Sequence, residues 1–309
     1  MRRAQPEIHT MLLRNPNILA TAKACLGFRE SVKILSFGCS MGDELASIKL
    51  LFPTAQVYGC DIDEAALATA ERSVGGLAEI FLSTEEAIRA RGPFDLVCAF
   101  SCLCMHPPPR GPFAEAFPYA RFEEMTALLG DVVAPGGVLA LYNTSYLFQH
   151  TPSFADFTAV RSDVICRNGF INLYDKAGEI LVEYAISPSG VSVRAIRDSA
   201  GLTDYDLVDC VFAKTGGGGE AINLRLHDPE ALSRHGYEPA FAWTRSELDA
   251  FPPEERGRFI DMRRRYRAYV APDGDVVYAY DVLRDSIEGR GELLLATYGP
   301  LTAQMGDKF

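Results

Sequence analysis

Long apolar runs, an excess of basic charge and a leader-like segment are all missing from this sequence. The most apolar run, Leu96–Met105, has ten residues, about half of what a helix needs to cross a bilayer. Residues 1–17 lack the continuous apolar stretch of a secretory signal. The net charge of −11 at pH 7 opposes binding to a polyanionic nucleic acid. We therefore expect a cytoplasmic protein whose partner is a small molecule or another protein, with neither a membrane nor a nucleic acid as ligand.

Paired cysteines are also missing. The eight cysteines include no CxxC pair, and most of them lie within apolar stretches. Structural zinc sites usually contain thiolates paired at short spacing, and disulfide frameworks are typical of small secreted chains. We therefore predict no metal site and interpret the cysteines as reduced, buried side chains that pack like small apolar residues. They are Cys25, Cys39, Cys60, Cys98, Cys102, Cys104, Cys166 and Cys210.

What the sequence does contain is a regular alternation of strand-like and helix-like segments. The predicted strands are Val32–Phe37, Gln56–Asp61, Glu79–Leu82, Phe94–Ser101 and Val138–Asn143, and the predicted helices are Asp43–Phe52, Glu64–Val74, Glu85–Arg91 and Ala120–Val133. This order predicts an α/β fold, a Rossmann-like, doubly wound and mostly parallel sheet with helices on both faces. Ligands of such sheets bind at the carboxyl ends of the strands.

The second half of the chain is less regular. Asn168–Tyr184 resembles a β-hairpin, and Arg245–Tyr269 is predicted to be mostly helical and to be followed by a second hairpin. A glycine run beginning at Gly216 is typical of a flexible joint. We therefore predict a ligand-binding domain over residues 1–215 and a C-terminal α+β extension over residues 216–309.

A glycine-containing segment follows the first predicted strand. In LSFGCSMGDE, Leu35–Glu44, Gly38 and Gly42 frame a turn that brings free backbone N–H groups close to a ligand. Dinucleotide sites favour G-x-G-x-x-G with a pyrophosphate at the helix start, where this loop has Asp43 and Glu44. Those two acids would repel a pyrophosphate. The loop therefore favours a cofactor without phosphates that carries cationic groups, with a purely structural turn as the alternative.

An acidic residue ends the second predicted strand. Asp61 lies 19 residues after Gly42, where a carboxylate can accept hydrogen bonds from both hydroxyls of a ribose. Hydrogen bonds to charged groups contribute about 1.5–3 kcal/mol each. Asp61 is alternatively the N-cap of the helix that begins at Glu64, a role for which Asp63 is better placed. We predict that Asp61 binds the ribose and that Asp63 caps the helix.

The loops after the third and fourth strands carry further candidates. Ser83 and Thr84 are placed to contact an adenine edge or, equally, to cap the next helix. The backbone at Phe100 and Ser101 would border the far end of the same ligand. His106 precedes a Pro-rich stretch typical of a lid, and histidine is a common general base. A hydrogen-bonded structural role is the alternative for His106.

The runs ILSFGCSMGDELASIKLLFPTAQVYGCDID, FDLVCAFSCL and APGGVLALYN, in this order, resemble class I S-adenosylmethionine-dependent methyltransferases. The resemblance covers roughly Asn17–Tyr146, with Ser36 where the family commonly has an acidic residue. It implies that residues 1–215 form a methyltransferase domain that binds S-adenosyl-L-methionine, and that residues 216–309 serve the substrate or an interaction. The residues expected at the cofactor are Phe37, Gly38, Cys39, Ser40, Gly42, Asp61, Ile62, Ser83, Thr84, Phe100 and Ser101.

The implied reaction is an in-line displacement at the sulfonium methyl group, in which positioning alone contributes about 7–11 kcal/mol. A strong base is not required, and the candidates for one are His106, Tyr146 and His150. Tyr146 and His150 follow the fifth strand, on the side where an acceptor would bind. For both residues, a packing role is the alternative.

Three functions fit this pattern. The first is a methyltransferase acting on a small molecule. The second is a protein carboxyl or side-chain methyltransferase, for which the basic strip Arg263–Arg267 is a candidate docking surface. The third, kept open by Ser36, is a protein that binds S-adenosylmethionine without transferring its methyl group.

Overall fold

The computed structural model describes residues 15–27, 29, 31–52, 54–162, 169–187, 190–197 and 201–224, and beyond them four strands within residues 238–297. The helices in these parts are α1 (Pro16–Leu26), α2 (Asp43–Leu51), α3 (Glu64–Val74), α4 (Glu85–Arg91), α5 (Phe113–Ala116) and α6 (Tyr119–Val132). The strands are β1 (Lys33–Phe37), β2 (Gln56–Asp61), β3 (Glu79–Leu82), β4 (Phe94–Phe100), β5 (Val133–Tyr142), β6 (Phe157–Ser162), β7 (Leu173–Tyr174), β8 (Ile180–Ser187), β9 (Gly190–Ile196), β10 (Val211–Lys214), β11 (Ile222–Leu224), β12 (Glu238–Ala240), β13 (Tyr266–Val270), β14 (Val276–Asp281) and β15 (Leu293–Thr297). Short 3-10 helices occupy Phe148–His150, Pro152–Asp156 and Asp204–Leu207.

The main sheet has eight strands in the order β11-β6-β10-β5-β4-β1-β2-β3. Strands β1 to β5 are parallel to one another, and β10 is antiparallel to both β5 and β6. The chain first builds outward from β1 to β3 and then returns to place β4 on the other side of β1. The strand order therefore reverses between β1 and β4, which is the position where sheets of this kind bind ligands. This confirms the Rossmann-like, doubly wound fold.

Alternating residues of the strands pack into two apolar cores, one on each face of the sheet. Because successive side chains of a strand point to opposite faces, each buried strand contributes to both cores. One core contains Ile34, Leu96, Cys98, Phe100, Val138 and Ala140, and the other contains Leu35, Phe37, Val97, Ala99, Leu139 and Leu141. Near-continuous apolar runs such as FDLVCAF are thus explained by burial on both faces.

Between Val32 and Asn143, the predicted boundaries of the helices and strands agree with the structure to within a few residues, with β5 as the exception. This strand begins at Val133, where α6 ends, rather than at Val138. Its register with β4 jumps from Phe94↔Val133 to Leu96↔Val138, so that the intervening residues of β5 bulge. Pro135, Gly136 and Gly137 lie in this bulge.

Two smaller antiparallel sheets follow, β7-β8-β9 and β12-β13-β14-β15. The predicted hairpin within Asn168–Tyr184 is confirmed as β7 and β8. The predicted helix Arg245–Tyr269 is wrong at its end, because Tyr266–Val270 forms β13 and pairs antiparallel with β14. Aromatic and β-branched residues dominate this pair, and the strand pairing outweighs the helical periodicity. Most of that helix, and Arg263–Arg265 of the basic strip, lie outside the described residues.

The division of the chain at Gly216 stays a prediction, and β11 of the main sheet lies just beyond it, paired with β6. In the described parts of the chain, no helix is long and apolar enough to span a membrane.

Candidate functional site

The glycine loop after β1 crosses the carboxyl end of β2. The N–H groups of Gly38 and Cys39 both donate to the carbonyl oxygen of Cys60, at 2.8 and 3.0 Å. Gly42 has a φ of +99° and is the N-cap of α2, where no side chain of the described residues caps the helix. Its missing Cβ also matters, since a methyl group there would lie 2.6 Å from Cγ2 of Val74. The loop therefore needs glycine at its end.

Asp61 ties this loop to the end of β2. Its Oδ2 atom accepts a hydrogen bond from the N–H of Ser40 at 2.9 Å, and its Oδ1 atom accepts one from the N–H of Asp63 at 3.0 Å. Asp63 caps α3 by accepting from the N–H groups of Ala65 and Ala66, as predicted. A carboxylate has about four acceptor positions, so the half-buried Asp61 keeps capacity for further donors.

Ser40 carries the clearest sign of an unfilled polar position. Its φ of +51° is unusual for a residue with a side chain. Its Oγ atom is buried and has no hydrogen-bond partner among the described residues. A buried hydroxyl without a partner costs free energy, and a ligand that donates to it or accepts from it would remove that cost.

The loop after β3 has one of the two roles expected for it, the cap of the next helix. The Thr84 hydroxyl accepts from the N–H of Ala87 at 3.1 Å, so Thr84 is the N-cap of α4 and the capping alternative holds for this residue. Ser83 is buried, and its N–H donates to the carbonyl oxygen of Asp61 at 2.8 Å. Leu82 is 44% exposed beside them, which gives the same edge an apolar surface.

A polar network joins the ends of β4 and β5. Asn143 donates from Nδ2 to the Ser101 hydroxyl at 2.9 Å and accepts from the N–H of Phe170 at Oδ1 at 2.8 Å. Ser101 and Asn143 have φ values of +58° and +54°. With Ser40, they are the three non-glycine residues of the described chain in the left-handed region, and all three follow strands at one edge of the sheet. Such strain concentrates at functional sites.

Asn143 belongs to this network and was not among the residues predicted for the site. The signal was present, because asparagine tolerates the left-handed conformation better than most residues and Asn143 directly follows β5.

The segment after β4 folds back over the glycine loop. The Cys102 thiol donates to the carbonyl oxygen of Phe37 at 3.1 Å, and a Cβ on Gly38 would lie 2.6 Å from the Cβ of Cys102. Burial, and then the negative charges of Glu44 and Asp61, raise the pKa of this thiol well above its ordinary value. The carboxylates of Glu44 and Asp61 are therefore close to the crevice between β1 and β4.

Four other residues predicted to contact the cofactor differ in whether their side chains are accessible to a ligand. Phe37, Cys39 and Phe100 are buried in the apolar cores, so a ligand would meet their backbone rather than their side chains. Ile62 is half-buried between Asp61 and the cap of α3, where its side chain is partly accessible.

The three candidate bases lie in different environments. His106 is half-buried after β4, with its ring edge-on to Phe170 at 6.2 Å, and the preceding N–H, of Met105, donates to the Ser145 hydroxyl. His106 is therefore near the ends of β4 and β5. His150 ends a 3-10 helix and is exposed, and its carbonyl oxygen accepts from the Tyr119 hydroxyl.

Tyr146 lies in the core. It is 1% exposed, and its hydroxyl donates to the carbonyl oxygen of Phe117 at 2.6 Å. Burial raises its pKa to about 12. Its ring contacts those of Phe113, Phe117, Tyr119 and Phe122. This environment favours the packing alternative for Tyr146.

The cysteines are compatible with the structural role predicted for them. In the parts of the chain that the structure covers, no group of three or more metal-binding side chains is close enough to hold an ion. All seven described cysteines are free thiols. Burial raises the pKa of Cys60 to about 12, so this thiol stays protonated at neutral pH.

No protein-family model and no curated protein sequence match the chain. Solved structures that are similar to part of it include the plantazolicin methyltransferase BpumL in complex with a pentazolic desmethylPZN analog and SAH, at 18% identity over 40% of this chain and 44% of that one, with a TM-score of 0.32. PKMT2 from Rickettsia typhi in complex with AdoHcy is 14% identical over 42% of this chain and 26% of that one, with a TM-score of 0.31. YjhP from E. coli is 21% identical over 41% of this chain and 49% of that one, with a TM-score of 0.28.

The chain spans less than half the length of each of these structures. Similarities of this size carry no argument about its cofactor or its acceptor. The strand order, with its reversal between β1 and β4, is what identifies the fold as Rossmann-like.

Proposed function

We propose that the chain is an S-adenosylmethionine-dependent methyltransferase that acts on a small molecule. The observation that carries the proposal is the hydrogen bond between the Ser40 N–H and Asp61. It holds a glycine loop and a ribose-type carboxylate together at the carboxyl edge of the sheet. Beside it, α2 begins with Asp43 and Glu44, which oppose a pyrophosphate.

The described residues fit this cofactor part by part. Asp61 would accept the ribose hydroxyls, and the partnerless Ser40 hydroxyl would gain a partner in the same ligand. Ile62 and the exposed Leu82 would flank the adenine, with Ser83 at its edge. The backbone at Gly38 and Ser101 would border the methionine end, in a crevice close to two carboxylates, which suit cationic groups.

When bound, S-adenosylmethionine supplies a methyl group on a positively charged sulfur. The chain's own contribution is to hold an acceptor atom about 3 Å from that methyl group and in line with the breaking bond, which is worth about 7–11 kcal/mol. His106, near the ends of β4 and β5, is the residue proposed to take up a proton where the acceptor must lose one. Tyr146 is left out of this role because its hydroxyl is already engaged with Phe117.

A small acceptor is supported by how the chain covers the edge of the sheet next to β5. The N–H of Tyr174, in β7, donates to the carbonyl oxygen of Ser145, and Phe170 is bonded to Asn143. The ring of Tyr174 stacks on Phe113 at 3.6 Å. These contacts draw the β7–β8 hairpin and α5 over the acceptor side, and such a cover admits a metabolite more readily than a folded protein.

Two measurements test this proposal. Calorimetric titration with S-adenosylmethionine and S-adenosylhomocysteine should give saturable binding, and NAD should not bind. Incubation with methyl-labelled cofactor and a cell extract should then transfer label to the small-molecule fraction. Label in the protein fraction would favour a protein methyltransferase, and binding without transfer would favour a protein that does not methylate. Absence of binding to both sulfur nucleosides at high micromolar ligand would refute the proposal.

A further inference from the structure

Asn143 joins three segments of the acceptor side through its buried side chain. It is 2% exposed and directly follows β5. Its Nδ2 atom donates to the Ser101 hydroxyl, after β4, at 2.9 Å, and its Oδ1 atom accepts from the N–H of Phe170 at 2.8 Å. A Cβ atom on Gly169 would overlap the same Oδ1 atom. Because the amide donates on one side and accepts on the other, its orientation is set by its partners.

The bond from Asn143 determines what the Ser101 hydroxyl has left to offer. A serine hydroxyl has one proton to donate and two acceptor positions, and Asn143 fills one of those positions. Within the described residues, this is the only hydrogen bond of the hydroxyl. Ser101 is half-buried at the carboxyl end of β4, beside the point where the strand order reverses. Its hydroxyl is therefore able both to donate to a ligand and to accept from it.

The other end of the amide sets the place of an aromatic ring. Phe170 is half-buried, and its ring is edge-on to that of His106, with the ring centroids 6.2 Å apart. The N–H of Phe170 is held by Asn143, so the residue that fixes the hydroxyl also fixes the backbone that carries this ring. Asn143 thus sets a hydroxyl on one side and an aromatic ring beside His106 on the other.

The side chains of Ser101, Asn143 and Phe170 carry no charge. The carboxylates of Glu44 and Asp61 are close to the same crevice. A carboxylate or phosphate that leaves water needs a cation or several hydrogen bonds in return. An uncharged group that both donates and accepts needs only what the Ser101 hydroxyl offers. The chemistry of these residues therefore favours an uncharged ligand.

We propose that Asn143 is the positioning residue of the acceptor site, and that Ser101 and Phe170 bind an uncharged acceptor that carries a hydroxyl or an amide. The proposal rests on the function proposed above and names the chemistry of its acceptor. The Ser101 hydroxyl would hydrogen-bond to the polar group of the acceptor, and the Phe170 ring would pack against its apolar part. A hydroxyl whose orientation is already fixed loses little further freedom on binding, so Asn143 improves recognition without touching the acceptor.

The experiment separates the two ends of the Asn143 side chain. Asn143→Gly removes both bonds and suits the backbone at this position, where φ is +54°. Asn143→Asp keeps an oxygen for the N–H of Phe170, but its carboxylate takes up the proton of the Ser101 hydroxyl as an acceptor. Thr144→Val is the matched control, because it removes a buried hydroxyl that donates to the carbonyl oxygen of Tyr146 from the adjacent position.

Three quantities are measured for the full chain and for each variant. They are the affinity for S-adenosylhomocysteine, the rate of label transfer from methyl-labelled cofactor to the small molecules of a cell extract, and the NMR shift of the His106 ring protons. Comparison with His106→Gln assigns that signal, and varying the amount of extract separates an effect on the apparent KM from one on kcat. The extract is also divided on an anion-exchange resin at neutral pH, so that anionic molecules are tested separately from all others.

We expect Asn143→Gly to lower transfer at low amounts of extract about tenfold or more, mainly through the apparent KM, with S-adenosylhomocysteine affinity unchanged within about twofold. It should also move the His106 signal, because the backbone of Phe170 is released. Asn143→Asp should lower transfer and leave the His106 signal in place. Thr144→Val should change none of the three quantities. The extract fraction that does not bind the resin should contain the acceptor.

Several results would overturn the inference while leaving the proposed function intact. One is an Asn143→Gly protein that transfers label as fast as the unchanged chain. Another is an equal loss of transfer and of S-adenosylhomocysteine affinity, which would mean that Asn143 only supports the crevice. An unmoved His106 signal would remove the role of Phe170, and an acceptor in the resin-bound fraction would show that it is anionic.

A second variant keeps the test decisive if Asn143→Gly does not fold. Ser101→Gly removes only the hydroxyl, at a φ of +58° that glycine adopts freely, and should lower transfer with the same split between KM and affinity. Absence of label transfer by the unchanged chain would instead count against the proposed function, and this inference would fall with it.

Discussion

Replacing Asp61 by alanine perturbs the candidate site at its centre. The carboxylate accepts the N–H of Ser40 at 2.9 Å and that of Asp63 at 3.0 Å, and it is the proposed acceptor for the ribose hydroxyls. A hydrogen bond to a charged group contributes about 1.5–3 kcal/mol, and partial exposure places these bonds near the lower end. Loss of one net ribose contact then weakens binding about tenfold, and loss of both weakens it more.

The assay is calorimetric titration with S-adenosylhomocysteine, together with urea unfolding of each variant. Asp61→Asn is the milder change, since its amide keeps one oxygen acceptor while removing the charge. Asp63→Ala is the matched control, because Asp63 ends the same turn and its side chain caps α3. It should lower the free energy of unfolding by about 0.5–2 kcal/mol and leave the affinity unchanged.

Either of two outcomes would refute the ribose assignment. The first is a folded Asp61→Ala protein with unchanged affinity. The second is a loss of affinity in Asp63→Ala as large as that in Asp61→Ala, which would show that any disturbance of this turn weakens binding indirectly.

Three further predictions follow from other residues. Tyr146→Phe leaves the buried carbonyl oxygen of Phe117 without its donor, so urea unfolding should show a loss of about 1–3 kcal/mol with unchanged S-adenosylhomocysteine affinity; unchanged stability would contradict the packing role. Gly42→Ala forces a Cβ to within 2.6 Å of Val74 at a φ of +99°, so it should lower the melting temperature, and Val74→Ala in the same chain should restore part of the loss; no change in melting would contradict the clash. Burial opposes ionisation of Asp175, but hydrogen bonds from Arg197 and from two backbone N–H groups lower its folded pKa below 3.8. The stability that this group contributes is therefore present above about pH 4 and is lost as the pH falls through the folded pKa. Asp175→Asn should make the melting temperature less dependent on pH below about pH 4. Plots of melting temperature against pH that run parallel for the two proteins would contradict this prediction.

The helices and strands that build the cofactor side could be predicted because their causes are local. Apolar runs flanked by glycine and proline mark β1, β2 and β4, which are buried on both faces. Asp63 and Thr84 satisfy N–H groups two or three residues further along the chain, so the starts of α3 and α4 are encoded within one turn. Such signals do not depend on knowing what else packs nearby.

The features that the sequence left open or mispredicted have non-local causes. The partner of the Tyr146 hydroxyl is a carbonyl oxygen 29 residues earlier in the chain, and nothing around Tyr146 in the sequence identifies it. The end of the predicted helix at Tyr269 failed for a similar reason, because β13 exists through its pairing with β14. Hydrophobic periodicity identifies a buried face, but it does not say which distant segment will cover it.

The same difference separates the two halves of the crevice. The proposed cofactor side is centred on the turns directly after β1 and β2, where the Ser40–Asp61 bond closes within 21 residues of sequence. The acceptor side depends on bonds such as that from Phe170 to Asn143, 27 residues apart, and on the stacking of Tyr174 against Phe113. Changes in the β7–β8 hairpin can therefore alter which acceptor fits while the cofactor-binding turns stay intact. For this reason, the sequence contains a recognisable motif for the proposed cofactor side and none for the proposed acceptor side.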